Sequence, residues 1–309
     1  MGVANRTRKH KKISQSVEKQ CYLLLLLPII GFFVFTIYPI LWAIFRSFYY
    51  YDQIPANTQW KGIENYIDIF TSNVKYWRSW LTTLKFMLYK LPFEIILTLV
   101  LAVFLCKKIK AVQTFRAIYF MPTIISVALS SVIFSNLFDY FGFFNNLFLK
   151  MHLISKPIDW FADYSSAMFV LVFGSVWGCF GINVLYFSAA LTNVPDDLYE
   201  AAELDGATGL KKFIFITIPM IAPVFQTILL LAINGTLQTS EYVLVMTNGA
   251  PGGTTHTVGS YVLANYVPGF AEGSIDIGYG CAMSVINSIV YGGVAFIYQK
   301  VSAKMQNIY

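Results

Sequence analysis

A polar segment at residues 193–212 interrupts an otherwise apolar part of the chain and has the residues best suited to contact a partner. Glu200 offers a carboxylate for a charge-assisted hydrogen bond, and Ala201 and Ala202 are small enough to let another protein approach closely. Asp205 and Gly206 form a natural helix stop, because glycine adopts the left-handed conformation at little cost. From the residues alone, a docking loop and an ordinary solvated connector are equally good interpretations.

The same segment contains signals for where its helices begin. Pro195 suits the first position of a helix, because its missing N–H would be unpaired there in any case. Asp196 and Asp197 follow it and favour the positive end of the helix dipole. Thr208 can cap a second helix. The segment therefore predicts two short helices with a bend at Gly206 between them.

Signatures of catalysis and of metal binding are missing from the sequence. There is no glycine-rich phosphate loop ending in Gly-Lys-Ser/Thr, no Gly-x-Ser-x-Gly elbow and no His-Glu-x-x-His pair. The three histidines are scattered along the chain, and the cysteines show no Cys-x-x-Cys spacing. We interpret the cysteines as small packing residues, and we expect no cofactor on this chain and no enzymatic activity of its own.

The composition indicates the elements that must position the polar segment. Hydrophobic residues make up 57% of the 309 residues and charged residues only 12%, whereas a soluble domain averages about 25% charged residues. A helix needs roughly 20 largely apolar residues to cross about 30 Å of hydrocarbon. Six stretches are long enough, at residues 21–45, 81–106, 116–138, 165–190, 213–246 and 277–299. The sequence thus predicts an all-α, polytopic membrane protein.

The second of these stretches contains charged residues. Lys85, Lys90 and Glu94 lie within it, and an unpaired charge at the bilayer centre costs about 2.5–3.5 kcal/mol on insertion scales. Lys90 and Glu94 are four residues apart, so they can pair on one face of a helix. We therefore accept residues 81–106 as a span and predict an ion pair inside it.

Basic residues predict the orientation of the chain in the membrane. With the N-terminus inside, six Lys and Arg lie in the tail of residues 1–20, four at residues 107–116, two at Lys211 and Lys212, and two at Lys300 and Lys304, against eight elsewhere. Because cytoplasmic loops are enriched in Lys and Arg, this bias favours an N-in, C-in arrangement. Residues 1–20 are then a cytoplasmic tail, and residues 21–309 form the membrane domain.

Polar residues inside the predicted spans are candidates for a solute path. In the fifth span, helical periodicity favours a stripe formed by Asn234, Gln238 and Glu241. Thr236 and Thr239, with Gly235 beside them, lie near the opposite face. The remaining candidates are an aromatic ring and two amides that suit a hydroxyl-rich ligand, namely Trp177, Asn183 and Asn287.

The motif order resembles that of a known family. Glu200-Ala-Ala, followed by Gly206-Ala207 and then Phe213, Ile216 and Pro219, resembles the EAA loop of binding-protein-dependent ABC importers. Gly62-Ile-Glu-Asn-Tyr66 and Thr247-Asn-Gly-Ala-Pro251 resemble signatures of sugar permeases of the maltose-permease type. The chain departs from that type at Ala250, where a second Gly is usual. It also lacks the large outer domain and the additional N-terminal spans of the enteric maltose permease.

This resemblance implies a six-helix permease with the fold of type I ABC importers, in the bacterial cell membrane. The implied partners are a second homologous permease, a dimer of ATPase subunits that holds ATP and Mg²⁺, and an extracellular solute-binding protein that delivers a sugar or oligosaccharide. The family assigns ATPase contact to the EAA loop, here Glu200, Ala201, Ala202, Asp205 and Gly206. When the fifth span is aligned to the maltose permease without gaps, the resemblance implies that Thr236 and Thr239 face the sugar. Helical periodicity favours the other stripe, so the two arguments disagree.

Three alternatives remain open at this stage. The same fold also serves solutes other than sugars, such as osmolytes, amino acids or phosphate, although the outer-loop signature favours sugar. A membrane-embedded enzyme would need a nucleophile beside a buried charge, and the sequence offers no obvious pair. A secondary transporter fits the composition but would not need an EAA loop.

Overall fold

The computed structural model describes residues 15–106, 112–271 and 275–306. Most of the predicted basic tail and Lys107, Lys108 and Lys110 of the predicted inner loop lie outside these residues. The helices are α1 (Gln15–Phe32), α2 (Tyr38–Arg46), α3 (Glu64–Thr71), α4 (Val74–Leu105), α5 (Val112–Ile124), α6 (Val127–Leu137), α7 (Phe143–Lys150), α8 (Tyr164–Thr192), α9 (Asp196–Leu204), α10 (Gly209–Lys212), α11 (Ile218–Leu237), α12 (Glu241–Met246), α13 (Val258–Tyr266) and α14 (Ile277–Gln306).

Long apolar helices dominate the described part of the chain. Five of them are long and apolar enough to cross a membrane, and a sharply bent pair makes a sixth candidate. Two of the spans contain a wider, π-helical turn, at Phe33–Ile37 and at Phe213–Thr217. Each wide turn ends two residues before a proline, Pro39 or Pro219. Because proline has no N–H to donate to the preceding turn, the helix locally loosens there instead of stopping.

The predicted third span is not one straight helix. It consists of α5 and α6, which meet at an angle of 99°. Pro122 removes a donor from the last turn of α5, and Ser126 adopts an extended conformation. The Ser126 hydroxyl then accepts a hydrogen bond from the Leu129 N–H at 3.3 Å and so caps α6. The boundaries 116–138 therefore enclose a broken span.

The predicted fifth span, residues 213–246, is also broken. Helix α11 ends at Leu237, and the short helix α12 begins only at Glu241. Neither glycine nor proline occurs at residues 238–240, so no strong local signal marks the break. A tertiary contact lies at the break, where the Thr239 carbonyl accepts a hydrogen bond from the Thr257 hydroxyl at 2.5 Å.

A small structure outside the long helices explains one of the sequence motifs. Strands β1 (Tyr49–Tyr50) and β2 (Gln59–Trp60) pair antiparallel directly after α2. The Asn65 side chain donates to the Ser47 and Tyr49 carbonyls, at 2.9 and 3.1 Å. The Tyr66 hydroxyl lies 2.7 Å from the Ser47 hydroxyl. Asn65 and Tyr66 of the Gly62–Tyr66 motif thus hold the chain in place where it leaves α2.

Three apolar clusters hold the helices together. One joins α4, α8 and α11 near the α9 end of the bundle and includes Leu105 and Val194. A second joins α4, α13 and α14 around Tyr76 and Met283. The third joins α4, α6, α8 and α12 around Phe134. Helix α4 contributes to all three clusters, so it is the central helix of the bundle.

Candidate functional site

The segment between α8 and α11 folds as the two short helices that its sequence predicts. Helix α9 begins after Pro195, which takes the capping position and not the first helical position, and it ends at Leu204. Gly206 has a φ of +75°. The Gly206 N–H donates to the Glu203 carbonyl at 3.0 Å, and the Ala207 N–H donates to the Ala202 carbonyl at 2.8 Å. This pair of bonds is a Schellman motif, the helix ending for which glycine is favoured.

Helix α10 follows directly and begins after Thr208. Thr208 lies at the capping position in an extended conformation, but its side chain makes no capping hydrogen bond. The prediction that Thr208 precedes the second helix is therefore correct in position, while the predicted side-chain cap does not form.

Side-chain contacts join this loop to the long helices. The Tyr199 hydroxyl lies 2.9 Å from the hydroxyl of Thr217, which is buried at the start of the fifth span. Glu203 forms an ion pair with Lys212 across the bend. Val194 is buried in the cluster that also contains Leu105 of α4. Packed and hydrogen-bonded contacts therefore connect this loop to α4, α8 and the fifth span.

The surface of the loop is free for a partner in the isolated chain. Glu200, Ala201, Asp205 and Gly206 are exposed, and Ala202 is half-buried. Sequence reasoning missed Leu204, whose side chain is 90% exposed beside the bend. Exposure of this apolar side chain is unfavourable in water, so a partner that covered Leu204 would gain free energy from its burial.

A recess of about 280 Å³ lies beside the break in the fifth span, between the break, α13 and α14. Its lining side chains are hydroxyls, an amide pair and apolar groups, at Gln238, Ser240, Gly259, Val262, Leu263, Val267, Ser284, Asn287, Ser288 and Tyr291. None of these described lining residues carries a charge. The Asn287 side chain is held by the Tyr76 hydroxyl, which donates to its Oδ1 at 2.7 Å. Such a surface is suited to a neutral ligand with many hydroxyl groups.

A second polar cluster is buried in the middle of the bundle. The Lys90 ammonium lies 3.3 Å from a Glu94 carboxylate oxygen, and both side chains are almost completely buried. The predicted ion pair is therefore confirmed. Asn183 donates to the other Glu94 oxygen at 2.6 Å, and Lys90 donates to the Thr236 hydroxyl at 3.1 Å. Together with the Cys179 thiol, which donates to Glu94 at 3.2 Å, these side chains connect α4, α8 and α11. We call them the polar hub.

Burial also shifts the pKa of a histidine outside the spans. Burial of the His256 imidazole in the loop before α13 lowers its pKa below the usual 6.5. Its Nδ1 lies 3.2 Å from the Ser260 hydroxyl. The described residues contain no group of three His, Cys, Asp or Glu side chains placed to hold a metal ion.

Comparison with known proteins decides the family. The family model for the inner membrane component of binding-protein-dependent transport systems matches residues 2–303. The chain belongs to this family.

Curated relatives of this inner membrane component are transport permeases. It is 32% identical to the arabinooligosaccharides transport system permease protein AraP of Bacillus subtilis, over 90% of this chain and 87% of the relative. It is 28% identical to the trehalose/maltose transport system permease protein MalF of Thermococcus litoralis, over 94% and 96%. It is also 31% identical to the lactose transport system permease protein LacF of Rhizobium radiobacter, over 74% and 77%.

The fold is shared with a solved transporter. A crystal structure of a bacterial ABC transporter involved in the import of the acidic polysaccharide alginate superimposes with a TM-score of 0.79, at 19% identity, over 94% of this chain and 96% of that one. At this identity the likeness establishes the fold of the inner membrane component and not its substrate.

The structure separates the predicted path residues into three groups. Gln238 and Asn287 line the recess. Asn183 and Thr236 are buried in the polar hub at 6% and 0% exposure, so in this conformation they bond to Glu94 and Lys90 and do not face an open path. Thr236, which the family register favours, is buried against Lys90 in the isolated chain, and its role in the solute path stays a prediction.

The other predicted path residues lie neither in the recess nor in the polar hub, and they differ in exposure and contacts. Trp177 is half-buried in the aromatic cluster, with its ring 5.3 Å from that of Phe134. Gly235 and Glu241 are exposed, whereas Thr239 is half-buried and its hydroxyl donates to the Gly235 carbonyl at 3.0 Å. Sequence reasoning missed Ser284, Ser288 and four other recess residues on α13 and α14. Ser284 and Ser288 are four residues apart in a predicted span, which was an available signal.

Proposed function

We propose that this chain is one of two membrane subunits of an ATP-driven importer of neutral sugars or oligosaccharides, and that α9 is its contact with a cytoplasmic ATPase subunit. The observation that carries the proposal is the α9–α10 loop. It exposes Leu204 and the predicted contact residues, yet Tyr199, Val194 and Lys212 join it to the membrane helices. The chain has no phosphate-binding loop of its own, so ATP with Mg²⁺ would be held and hydrolysed by the separate ATPase subunits.

The arrangement of the helix ends supports an orientation with both termini on the ATPase side. The Tyr298 hydroxyl of α14 donates to the Gln226 carbonyl of α11 at 2.7 Å, so the end of α14 lies toward the loop end of the bundle. Arg46, at the end of α2, lies close to Gly278 at the start of α14. Helices α1 and α2 therefore run antiparallel to α14, and the first residues of α1 point toward the loop as well.

A large uncovered apolar surface supports a second membrane subunit. None of the residues from Lys19 to Arg46 is buried in the isolated chain, although this span is the most apolar of the five straight candidates. Lipid covers one face of such a helix. The recess beside α13 and α14 is likewise open on one side, and a homologous subunit facing it would close a path between the two chains.

The chemistry of the recess supports a neutral sugar. Hydroxyl and amide groups can exchange hydrogen bonds with sugar hydroxyls, and Val262 and Tyr291 offer apolar surface to the faces of a sugar ring. An acidic saccharide would need cationic partners, which the described lining residues do not supply. Relatives named for arabinooligosaccharides, trehalose/maltose and lactose transport agree with this class of substrate. A solute-binding protein, such as the periplasmic protein in the solved alginate transporter complex, would deliver the sugar.

Photo-crosslinking tests the ATPase contact. A photo-activatable amino acid at position 201 should crosslink to the ATPase subunit when the transporter is expressed with its genomic partners. The same amino acid at position 153, an exposed position in the loop before α8, should not. Helix α8 separates the two positions by its 29 residues, or about 43 Å. Equal crosslinking from both positions, or none from position 201, would reject the docking role of α9.

Uptake measurements test the substrate. Cells that contain the complex should accumulate labelled arabino-oligosaccharides, maltose or lactose, and unlabelled oligogalacturonate should not compete. Ser288 is exposed at the recess, so Ser288→Leu fills part of it without disturbing buried contacts and should raise the KM about tenfold. Gln299→Leu, an exposed position further along α14, is the matched control. Competition by the acidic oligomer would contradict a neutral path.

A further inference from the structure

The break in the fifth span occurs where a buried cation meets the end of a helix. Helix α11 ends at Leu237, one residue after Thr236. The Lys90 ammonium donates to the Thr236 hydroxyl, which in turn donates to the Ala232 carbonyl at 2.7 Å. The C-terminal end of a helix dipole is negative, so a cation buried beside the last turn stabilises a helix end at this point.

Glu94 holds this cation in position. Its carboxylate pairs with Lys90 and accepts from Asn183 and Cys179 of α8. Glu94 therefore fixes the ammonium between α8 and the end of α11. Along α4, the polar hub lies between Phe86 and Ile95, which belong to two of the apolar clusters. Interactions between charges are strong in such surroundings, because neither water nor salt screens them.

The far side of the break is fixed by other contacts. On α8, a Cβ at Gly174 would meet the Met246 side chain, and one at Gly178 would overlap the Tyr242 hydroxyl. The two glycines thus form a notch that receives α12. The Thr239 carbonyl between the two helices accepts from Thr257. With both sides held, Gln238 in the unwound stretch is exposed and lines the recess.

We propose that Lys90 and Glu94 are positioning residues for the solute path: the ammonium ends α11 at Leu237 and so directs Gln238 into the recess. This inference rests on the proposed transport function only in identifying the recess as the path. The placement of Gln238 can be measured without any sugar. According to this proposal, the positive charge must lie beside Thr236, and an ion pair elsewhere in the bundle would not be sufficient.

Thiol accessibility at position 238 tests the proposal. In membranes that contain the assembled complex, Gln238→Cys should react with a membrane-impermeant sulfonate-bearing thiosulfonate faster than the parent chain with its native cysteines. Adding Lys90→Met should change this rate about tenfold, in the range of coupling between neighbouring residues. Lys85→Met is the matched control. Lys85 is an exposed lysine in the same helix, with its ammonium 5.6 Å from the Tyr164 ring, and its loss should leave the rate within about twofold.

A charge-exchange variant separates positioning from simple stabilisation and also covers the case in which Lys90→Met fails to reach the membrane. Lys90→Glu combined with Glu94→Lys keeps a pair in the bundle but moves the ammonium away from Thr236. We expect normal amounts of this variant in the membrane and an altered rate at position 238. A rate restored to that of Gln238→Cys alone would overturn the proposal, because any ion pair would then suffice. An unchanged rate in Lys90→Met, or an equal change in Lys85→Met, would overturn it as well.

A kinetic measurement distinguishes this inference from the proposed function. If the complex imports arabino-oligosaccharides, the exchanged pair should raise the KM about tenfold and change the maximal rate less than twofold, since the hub acts on the path and not on the ATPase contact. A proportional fall of the maximal rate at constant KM would contradict this role. If the complex imports none of the tested sugars, the sugar proposal fails, while the accessibility result still decides the role of Lys90.

Discussion

Substitution of Gly206 would reveal whether the helix ending or close contact makes this residue important. Gly206 has a φ of +75°, and a Cβ built there meets no atom within 4 Å. The cost of Gly206→Ala in the free chain is therefore the backbone cost of an L-residue in the left-handed region, about 1–2 kcal/mol. By mass action this lowers the population of the docking-competent loop about 5- to 30-fold.

Asparagine provides the discriminating comparison at this position. Its side chain is larger than that of alanine, but it tolerates the left-handed conformation and occurs at helix endings. If the backbone decides, Gly206→Asn should retain more activity than Gly206→Ala. If the ATPase surface packs directly against the glycine, the larger asparagine should be the more harmful. Gly209→Ala is the matched control, because Gly209 lies at the start of α10, also without atoms within 4 Å and without a positive φ.

The assay is ATP hydrolysis by the purified complex in lipid nanodiscs, stimulated by sugar-loaded binding protein, together with the amount of ATPase subunit that co-purifies. We expect Gly206→Ala to reduce both quantities, Gly206→Asn to recover most of the loss, and Gly209→Ala to match the unmodified complex. A larger loss for asparagine than for alanine would refute the backbone argument. If all three variants keep the full stimulation of ATP hydrolysis, the bend at Gly206 has no role in coupling.

Three further predictions concern the loop, the notch and the outer loop. Leu204→Asp should reduce co-purification of the ATPase at least about tenfold, since Leu204 is 90% exposed in the proposed contact surface and a carboxylate there would lose its water on docking. Leu153→Asp, at another exposed leucine, should not reduce it. Gly178→Leu should destabilise the purified chain by about 1–3 kcal/mol through overpacking against Tyr242, and thermal unfolding would show whether it does. Burial lowers the pKa of His256 in the folded chain. As the pH falls below 6.5, the unfolded chain therefore binds a proton at this histidine first, and the folded state loses stability. The difference between the unfolding temperatures at pH 7.5 and 5.5 should be smaller in His256→Gln than in the unmodified chain.

Local patterns in the sequence predicted much of the architecture. Uncharged stretches located the long helices, because a spanning helix needs a continuous apolar length that few other structures require. The spacing of Lys90 and Glu94 predicted their ion pair, since residues four apart share a helix face. Asp205-Gly206 predicted the end of α9, because glycine reaches a positive φ at the lowest cost. In each case, the interacting groups are close along the chain.

The tertiary structure decided where the polar side chains point and where the fifth span breaks. In the isolated chain, Asn183 and Thr236 bond to Glu94 and Lys90, which are 89 and 146 residues away in sequence, and no local pattern predicted these two bonds. No residue at 238–240 signals a break by itself. The contacts at the break come from Lys90 of one helix and Thr257 of another segment. A sequence pattern describes the groups that a helix presents on each face, whereas only the packed bundle determines which distant group meets that face.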